Sequence, residues 1–286
     1  MSLHKKLKVQ LGSYERLYEL TQAIQLVALS KLKIAQDIRK KENDSLSSLK
    51  KLFSISQQLK YAGSVYLLMP VTSDKSCCGS INTNILDELF NYILFMKELN
   101  KDYIVFLIGK KGKNFLQKNC GIAYVKNVSN LSKESISLLT TTIISEKVYN
   151  FTFDRCVILF NHLYSVFEQG PAIYEVLSYA HFVNNLHLKR NEGVDTVFWS
   201  SILDNVEGNI YFTKDLYDFC FALILLKAFR ENELSELGGR ITAMQNASKN
   251  ALEIIQRLRL QFNKARQSYI TNELIEIVSC LNALEM

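Results

Sequence analysis

The C-terminal stretch from Lys214 to Glu285 constrains the fold more than any other part of the chain. It contains no proline, and its apolar residues recur at alternating three- and four-residue steps. An α-helix rises about 1.5 Å per residue, so the stretch predicts a rod on the order of 100 Å long. A seam of that length needs a partner helix or a sleeve of other subunits. The seam consists of Ile241, Met244, Ala251, Ile255, Leu258, Phe262, Ala265 and Tyr269, with polar Ser248 among them; from Ile270 it shifts by one residue and continues to Leu284.

The N-terminal residues predict a second long amphipathic helix, from Ser2 to about Lys41. Residues at the seam of this helix lie seven positions apart and become small towards its end, from Leu7 and Tyr14 to Ala28 and Ala35. Polar residues 43–45 (Asn-Asp-Ser) break the pattern, so residues 42–60 are expected to form a loop and a short helix. Because both ends of the chain carry seams, we expect the two helices to pair antiparallel as a coiled coil.

The middle of the chain alternates short apolar runs with helical patterns, which predicts a small, mainly parallel α/β domain of the Rossmann-like kind. We expect Thr213 to be the N-cap of the terminal helix, because threonine is favoured there. The predicted domains are 1–60, 61–212 and 213–286. The predicted strands are Val65–Val71, Tyr103–Ile108, Gly121–Val125, Arg155–Phe160 and Tyr174–Phe182, and the predicted helices are Ile81–Leu99 and Ser132–Glu146.

Charge and cysteine usage narrow the possible partners and compartments. Residues 1–41 carry nine basic and three acidic side chains, a net charge of +6. The protein as a whole also has a net charge of +6, so its basic character comes from the N-terminal helix. A basic helix of this kind is compatible with nucleic acid, an anionic membrane surface or acidic protein loops. The six cysteines show no CxxC spacing and indicate reduced thiols.

No pattern of an active site or cofactor site is present in the sequence. The turn at 73–80 has one glycine where a P-loop needs two and a following Lys-Ser/Thr, and no GxGxxG occurs. Gly109-Lys110-Lys111-Gly112 is basic, but as a turn after a strand we interpret it as structural. The four histidines form no HExxH motif. We therefore expect no cofactor and no catalysis; a nucleotide-binding Rossmann-type enzyme and a basic coiled-coil module for nucleic acid or membranes remain as alternatives.

Three stretches together resemble the γ subunit of F-type ATP synthases. Residues 21–31 (Thr-Gln-Ala-Ile-Gln-Leu-Val-Ala-Leu-Ser-Lys) are similar to its N-terminal signature. Residues 72–75 (Thr-Ser-Asp-Lys), with Cys78, Gly79, Asn82 and Ile85, resemble its central motif. The C-terminal signature is matched by 240–250 (Arg-Ile-Thr-Ala-Met-Gln-Asn-Ala-Ser-Lys-Asn), 263–267 and 270–279. The resemblance covers the whole chain, in order.

The resemblance implies a function as a rotor. The antiparallel coiled coil would be the central shaft inside a hexamer of three α and three β subunits. The α/β domain would stand on the ring of c subunits, together with the δ or ε subunit of the central stalk. Proton flow would turn ring and shaft, and the asymmetric shaft would drive the binding changes at the β-subunit sites. The chain would then be non-catalytic and peripheral to the membrane, and acidic β-subunit loops, rather than nucleic acid, would face its basic helix.

The matched positions also imply roles for individual residues, with seam packing or solvation as the alternative at each. For Ile24 and Leu274, packing in the seam is at least as good an interpretation as the role that the family implies. The expected β-subunit contacts are Arg240, Arg266, Gln267 and Thr271; the expected neck of the shaft contains Ile24, Ser30 and Lys31; and the expected apolar tip contains Leu274, Ile277, Val278, Leu281 and Leu284.

Two departures from the family pattern affect these expectations. Gly238 and Gly239 precede Arg240 inside the predicted helix, cost about 2 kcal/mol relative to alanines, and permit a bend. The cysteine-bearing insertion of chloroplast members is missing from 190–240. The composition, rich in Ile, Asn and Lys, favours the matrix side of the mitochondrial inner membrane, with the bacterial plasma membrane as the alternative.

Overall fold

A computed structural model describes residues 3–53, 63–119, 126–129, 136–184 and 210–284. The chain divides into two compact units. The first, the end unit, combines the chain up to Leu29 with the chain from Ile241 onward, and the second, the sheet unit, comprises Ser30–Arg240. The domain boundaries expected from the sequence stay a prediction.

Two very long helices run at the ends of the chain. Helix α1 spans Leu3–Phe53, a length of 51 residues. The break expected at 43–45 is therefore wrong: Asn, Asp and Ser each cost less than about 1 kcal/mol in a helix, which does not end one. The terminal helix, called α5 below, spans Ile210–Leu284, a length of 75 residues. Its predicted N-cap is also wrong, because Thr213 lies inside the helix and is buried.

In the end unit the two helices run antiparallel. The ring of His4 lies 4.5 Å from that of Tyr269, and Arg259 Nη2 lies 2.7 Å from Glu15 Oε1. Residue numbers therefore rise along α1 while they fall along α5, which confirms the predicted antiparallel pairing. The buried residues follow the heptads: they are Thr21 and Ala28 on α1, and Ile241, Met244, Ser248, Ala251 and Ile255 on α5.

The sheet unit is built on a five-stranded sheet of order β3-β2-β1-β4-β5. Strand β1 pairs parallel with both β2 and β4, β2 pairs parallel with β3, and β5 alone is antiparallel. This confirms the mainly parallel α/β class. The strands are β1 Val65–Pro70, β2 Asp102–Ile108, β3 Lys126–Val128, β4 Arg155–Leu163 and β5 Gln169–Leu177, and the connecting helices are α2 Ile81–Glu98, α3 Lys110–Asn119 and α4 Leu138–Val148.

Two of the predicted elements differ from those observed. The last strand begins and ends five residues earlier than the predicted Tyr174–Phe182, because it pairs with β4 through a tight hairpin that the sequence pattern does not mark. Helix α4 begins after Ser137, whose hydroxyl accepts a hydrogen bond from the backbone of Thr140 in a capping box. The predicted strand at 121–125 and the start of the predicted helix at 132–135 lie outside the described residues.

Both faces of the sheet are covered. Helix α2 places Ile85, Leu89 and Ile93 against one face, where Leu68 and Val157 are also fully buried. The opposite face packs against the first part of α5. Its core contains Met69, Phe106, Ile158, Phe160, Tyr217, Phe221 and Leu225. Among the described helices, we find none that is long and apolar enough to cross a membrane.

Candidate functional site

The loop that follows β1 is tied to the start of α2 by a polar cluster. Ser73 donates its backbone N–H to Asn82 Oδ1 at 2.9 Å, and Asn82 Nδ2 donates back to Ser73 Oγ at 2.9 Å. The same amide group lies 3.3 Å from Cys78 Sγ. Ser73, Cys78 and Asn82 belong to the central sequence motif, and their spacing closes this loop on itself.

The loop after β2 holds the same segment from the other side. Thr72 Oγ1 donates to the carbonyl of Ile108 at 2.6 Å and accepts from the backbone N–H of Gly112 at 3.1 Å. Gly109 has a φ of +96°, and a Cβ there would stand only 2.1 Å from the Thr72 carbonyl oxygen. Both glycines therefore serve close packing, as the structural interpretation from the sequence expected. The turn itself is limited to Gly109, because helix α3, which the sequence did not predict, already begins at Lys110.

A cavity of about 160 Å³ lies beside this loop, at the carboxyl ends of β1 and β2. Its walls contain Lys31 from α1, Lys75 from the β1 loop and Arg240 from α5, so it brings together residues of all three sequence motifs. Three carboxylates line it as well: those of Asp74, Glu233 and Glu236. The carboxyl edge of a parallel sheet is where α/β folds usually bind their ligands.

The charges at this cavity, here called the neck cavity, largely compensate one another. Arg240 Nη2 lies 2.5 Å from Glu236 Oε1, one helical turn earlier, and both side chains are 14% exposed. Glu233 is an exposed residue, but its carboxyl group is partly desolvated where it lines the cavity. That desolvation, together with the neighbouring Glu236, raises the pKa of Glu233, and Arg230, Lys31 and Lys75 oppose the shift. The neck cavity thus holds three basic and three acidic side chains, of which Arg240 and Glu236 form an ion pair.

A second charged cluster joins α1, β4 and α5 inside the sheet unit. Arg39 Nε lies 2.9 Å from Glu231 Oε1, and His162 Nδ1 lies 3.0 Å from Glu231 Oε2. The Glu231 side chain is only 4% exposed. Beside it, Asn161 donates its backbone N–H to Asn232 Oδ1 at 3.2 Å. No motif pointed to this cluster, because Glu231 stands among the polar residues Arg230, Asn232 and Glu233, a pattern that does not single it out.

The glycine pair on α5 lies where other elements approach the helix closely. A Cβ on Gly239 would stand 2.4 Å from Ile81 Cδ1 and 2.5 Å from the Cys78 carbonyl oxygen. A Cβ on Gly238 would stand 2.8 Å from Leu163 Cδ1. The helix continues through both residues. Close packing on the sheet unit therefore accounts for the two glycines.

Comparison with known proteins gives a consistent result. The profile of the ATP synthase family matches residues 4–284. The chain is 29% identical to the ATP synthase gamma chain of Roseobacter denitrificans, over 98% of this chain and 99% of the relative. It is 34% identical to that of Amoebophilus asiaticus, over 76% of this chain and 73% of the relative.

The chain belongs to the ATP synthase γ family. This confirms the resemblance noted in the sequence. A solved structure of Euglena gracilis mitochondrial ATP synthase contains a chain of the same fold, with a TM-score of 0.81 and 23% identity, over 98% of this chain and 94% of that chain. The relatives give no support to a nucleic-acid or membrane-binding module, the alternative considered from the sequence.

The γ-family residues singled out in the sequence fall into three groups. In the neck, Ile24 is half-buried, and Ser30 and Lys31 are exposed. On α5 the polar residues Arg266, Gln267 and Thr271 are exposed, and the Thr271 hydroxyl donates to the Gln267 carbonyl at 3.0 Å. The apolar residues of the tip are between 54% and 57% exposed; they are Leu274, Ile277, Val278 and Leu281. Leu284 ends α5, and its side chain lies outside the described part.

Proposed function

We propose that this γ-family chain is the central rotor subunit of an F-type ATP synthase. It couples rotation of the c-ring, driven by proton flow, to conformational changes at the catalytic sites of the β subunits. Its own role is mechanical and non-catalytic. The observation that carries this proposal is the exposed apolar end of α5.

That end of α5 extends beyond the described part of its partner helix. Helix α1 begins at Leu3, and His4 already lies beside Tyr269, so the described part of α1 has no turn left to pack on residues after Tyr269. The next turns of α5 nevertheless expose Ile270, Leu274, Ile275, Ile277, Val278 and Leu281. An apolar surface of this kind indicates an interaction site. A surrounding sleeve of α and β subunits supplies the missing contacts.

The exposure of individual side chains on α5 supports specific contacts with the β subunits. Arg266, Gln267 and Thr271 precede the tip, face solvent in the free chain, and are proposed to contact β-subunit loops directly. Arg240 is proposed to act together with Glu236, because the two side chains already form an ion pair. Lys31 shares the neck cavity with Arg240, which supports placing both at the neck of the rotor.

The coupling is allosteric. A rigid, asymmetric shaft presents a different face to each β subunit, and each face stabilises a different conformation of the facing site. Rotation then changes which conformation each site adopts. The buried heptad contacts of the end unit and the Glu231 cluster of the sheet unit supply the required stiffness.

The proposed partners are the hexamer of three α and three β subunits, the δ or ε subunit of the central stalk, and the c-ring; nucleic acid is not among them. The complex holds the chain at the membrane as a peripheral subunit. We place it on the matrix side of the mitochondrial inner membrane, with the bacterial plasma membrane as the second candidate. Relatives of both origins are compatible with these two candidates, among them the mitochondrial γ subunit of Trypanosoma brucei brucei, at 28% identity. The preference for the mitochondrion rests on the composition, which is rich in Ile, Asn and Lys.

Affinity purification of the tagged full chain, followed by mass spectrometry, tests the assembly. We expect α, β, c and small stalk subunits to co-purify. Retrieval without any ATP synthase subunit would contradict the proposal, and salt-sensitive binding to DNA would then favour the basic module. The purified chain alone should show no ATP hydrolysis, and turnover by it would contradict the non-catalytic role.

The apolar tip is tested by substitution in the assembled enzyme. The triple variant Leu274→Ser, Ile277→Ser and Leu281→Ser should reduce coupled ATP synthesis severalfold, because polar residues cannot pack in an apolar sleeve. The matched control replaces Leu94 and Leu139, apolar residues of the sheet unit that are 59% and 69% exposed. Equal effects of the tip and control variants would remove the tip from the mechanism.

A further inference from the structure

A second cavity, of about 600 Å³, lies at the opposite edge of the sheet from the neck cavity. It is formed by the start of β1, the segment before β4, the turn after β5 and the first turns of α5. Its volume falls within the range of roughly 300–1,000 Å³ that is typical of small-molecule sites. None of its residues belongs to the three sequence motifs, so the rotor function does not account for it. We call it the aromatic cavity.

The walls of the aromatic cavity are unusually rich in aromatic rings. Tyr217 is central: its ring centroid lies 6.1 Å from that of Tyr149 and 5.7 Å from that of Tyr179. Tyr217 is only 2% exposed and its hydroxyl donates to the Leu177 carbonyl at 2.8 Å, so it supports the rings of Tyr149 and Tyr179 and presents almost no surface of its own to the cavity. Phe151 and Phe153 line the cavity as well. Aromatic faces carry negative electrostatic potential and attract cations.

Two carboxylates add negative charge to the same walls. Asp154 Oδ2 accepts backbone hydrogen bonds from Ser64 at 2.6 Å and Val65 at 3.1 Å, and its Oδ1 lies 3.9 Å from His181 Nδ1. Asp218 follows Tyr217 on α5 and lies beside the Tyr149 phenol. Desolvation raises the pKa of Asp218, against the smaller effects of Tyr149 and Lys214. A cation beside Asp218 would restore the stabilisation that this carboxylate loses on burial.

We propose that the aromatic cavity binds a small organic cation of the alkylammonium class, with the rings of Tyr149 and Tyr179 beside the cation and Asp218 as its counter-ion. A bare metal ion does not fit, because aromatic walls cannot replace its hydration shell. An anion meets two carboxylates and the negative ring faces. A neutral apolar molecule fills the space but gains no attraction from Asp218. Lys214, the one lysine in the walls, is exposed.

The charge requirement is tested by isothermal titration calorimetry on the full chain. The probes are choline and its uncharged carbon analogue, 3,3-dimethylbutan-1-ol, which has the same shape. We expect choline to bind about tenfold more tightly, which corresponds to a cation–π contribution in a partly desolvated site. Equal affinities, or no choline binding at tens of millimolar, would overturn the proposal.

Substitutions then locate the site. Tyr179→Leu should weaken choline binding about tenfold, whereas Tyr179→Phe, which keeps the ring, should change it less than twofold. Asp218→Asn should weaken binding, and Lys214→Met should strengthen it by removing a like charge. The reverse order for these last two variants would show that the cavity selects anions.

A control variant guards against indirect effects. Phe167 lies in the turn between β4 and β5, is 80% exposed, and does not line the aromatic cavity. Phe167→Leu should leave choline affinity unchanged, and circular dichroism should show the same helix content in every variant. An equal loss in Phe167→Leu and Tyr179→Leu would contradict this location. These measurements use the chain alone, so their outcome is independent of the rotor function.

Discussion

The guanidinium group of Arg39 on α1 lies 2.9 Å from the carboxylate of Glu231 on α5, within the sheet unit. The Glu231 side chain is 4% exposed, and His162 contacts its second oxygen at 3.0 Å. In the end unit another ion pair joins the same two helices, but there Arg259 and Glu15 are 61% and 38% exposed. The chain thus contains a buried and an exposed version of one interhelical contact.

The two ion pairs should differ in their contribution to stability. Arg39→Met removes the guanidinium group that pairs with the buried Glu231 carboxylate. We therefore expect a loss of about 3 kcal/mol in the free energy of unfolding. Arg259→Met removes an exposed pair and should cost less than about 1 kcal/mol. Urea denaturation followed by circular dichroism measures both. Equal losses would mean that burial does not control the strength of these pairs.

Glycine positions on the two helices give a second matched comparison. A Cβ added at Gly12 meets nothing within 4 Å, whereas one added at Gly239 meets Ile81 and the Cys78 carbonyl. Gly12→Ala should therefore raise stability by about 1 kcal/mol through helix propensity alone. Gly239→Ala should lower it by about 2 kcal/mol, because overpacking outweighs the same propensity gain. The melting temperatures of the two variants should move in opposite directions. A rise for Gly239→Ala would show that Ile81 and the Cys78 carbonyl can give way, and that close packing does not require this glycine.

Much of this fold is predictable from local pattern, because heptads and strand runs are local properties. Ile241 and Ala251 are buried as their seam positions require. The failures occurred where tertiary contacts decide the outcome. Thr213 has the chemistry of an N-cap but is buried inside α5, and Gly239 has the chemistry of a hinge but serves close packing.

The sites were predictable to different degrees. The motifs identified Lys31 and Arg240, but nothing in the sequence placed Glu233 beside them, since that depends on which face of α5 meets the β1 loop. The aromatic cavity could not be foreseen for the same reason. Its walls come from four separated segments, and none of these has a pattern of its own.

Asp154 should make the stability of the sheet unit depend on pH. Desolvation acts to raise the pKa of this carboxyl, but hydrogen bonds from Ser64 and Val65 outweigh it, and the pKa is lowered below its model-compound value of 3.8. A carboxylate with a lowered pKa stabilises the fold fully above 3.8, and this contribution is lost as the pH falls through the folded-state pKa. Asp154→Asn should therefore cost about 1 kcal/mol at pH 7.

The difference between wild type and Asp154→Asn should shrink below pH 3.8. Chemical denaturation at a series of pH values measures it. The nearby Asp218 is a useful contrast, because its pKa is raised. Asp218→Asn should stabilise the protein at pH 7 and have little effect at low pH. A constant difference at all pH values would show that neither carboxylate is linked to folding in this way.

The proposed β-subunit contacts predict a specific kinetic defect. Arg266 and Gln267 are exposed on α5, so removing either side chain should leave the helix content of the chain unchanged. In the assembled enzyme, Arg266→Ala or Gln267→Ala should lower ATPase turnover about fivefold. Each substitution removes about one hydrogen bond to a β-subunit loop, and a loss of about 1 kcal/mol in the free energy of activation corresponds to that factor. Gln256→Ala and Arg257→Ala are the matched controls: they delete the same types of exposed side chain nearer the sheet unit along α5, outside the matched motif. Turnover should stay near wild type in the controls. If all four variants behave alike, the loss reflects a general effect of shortening exposed side chains on α5 rather than contacts at the matched positions.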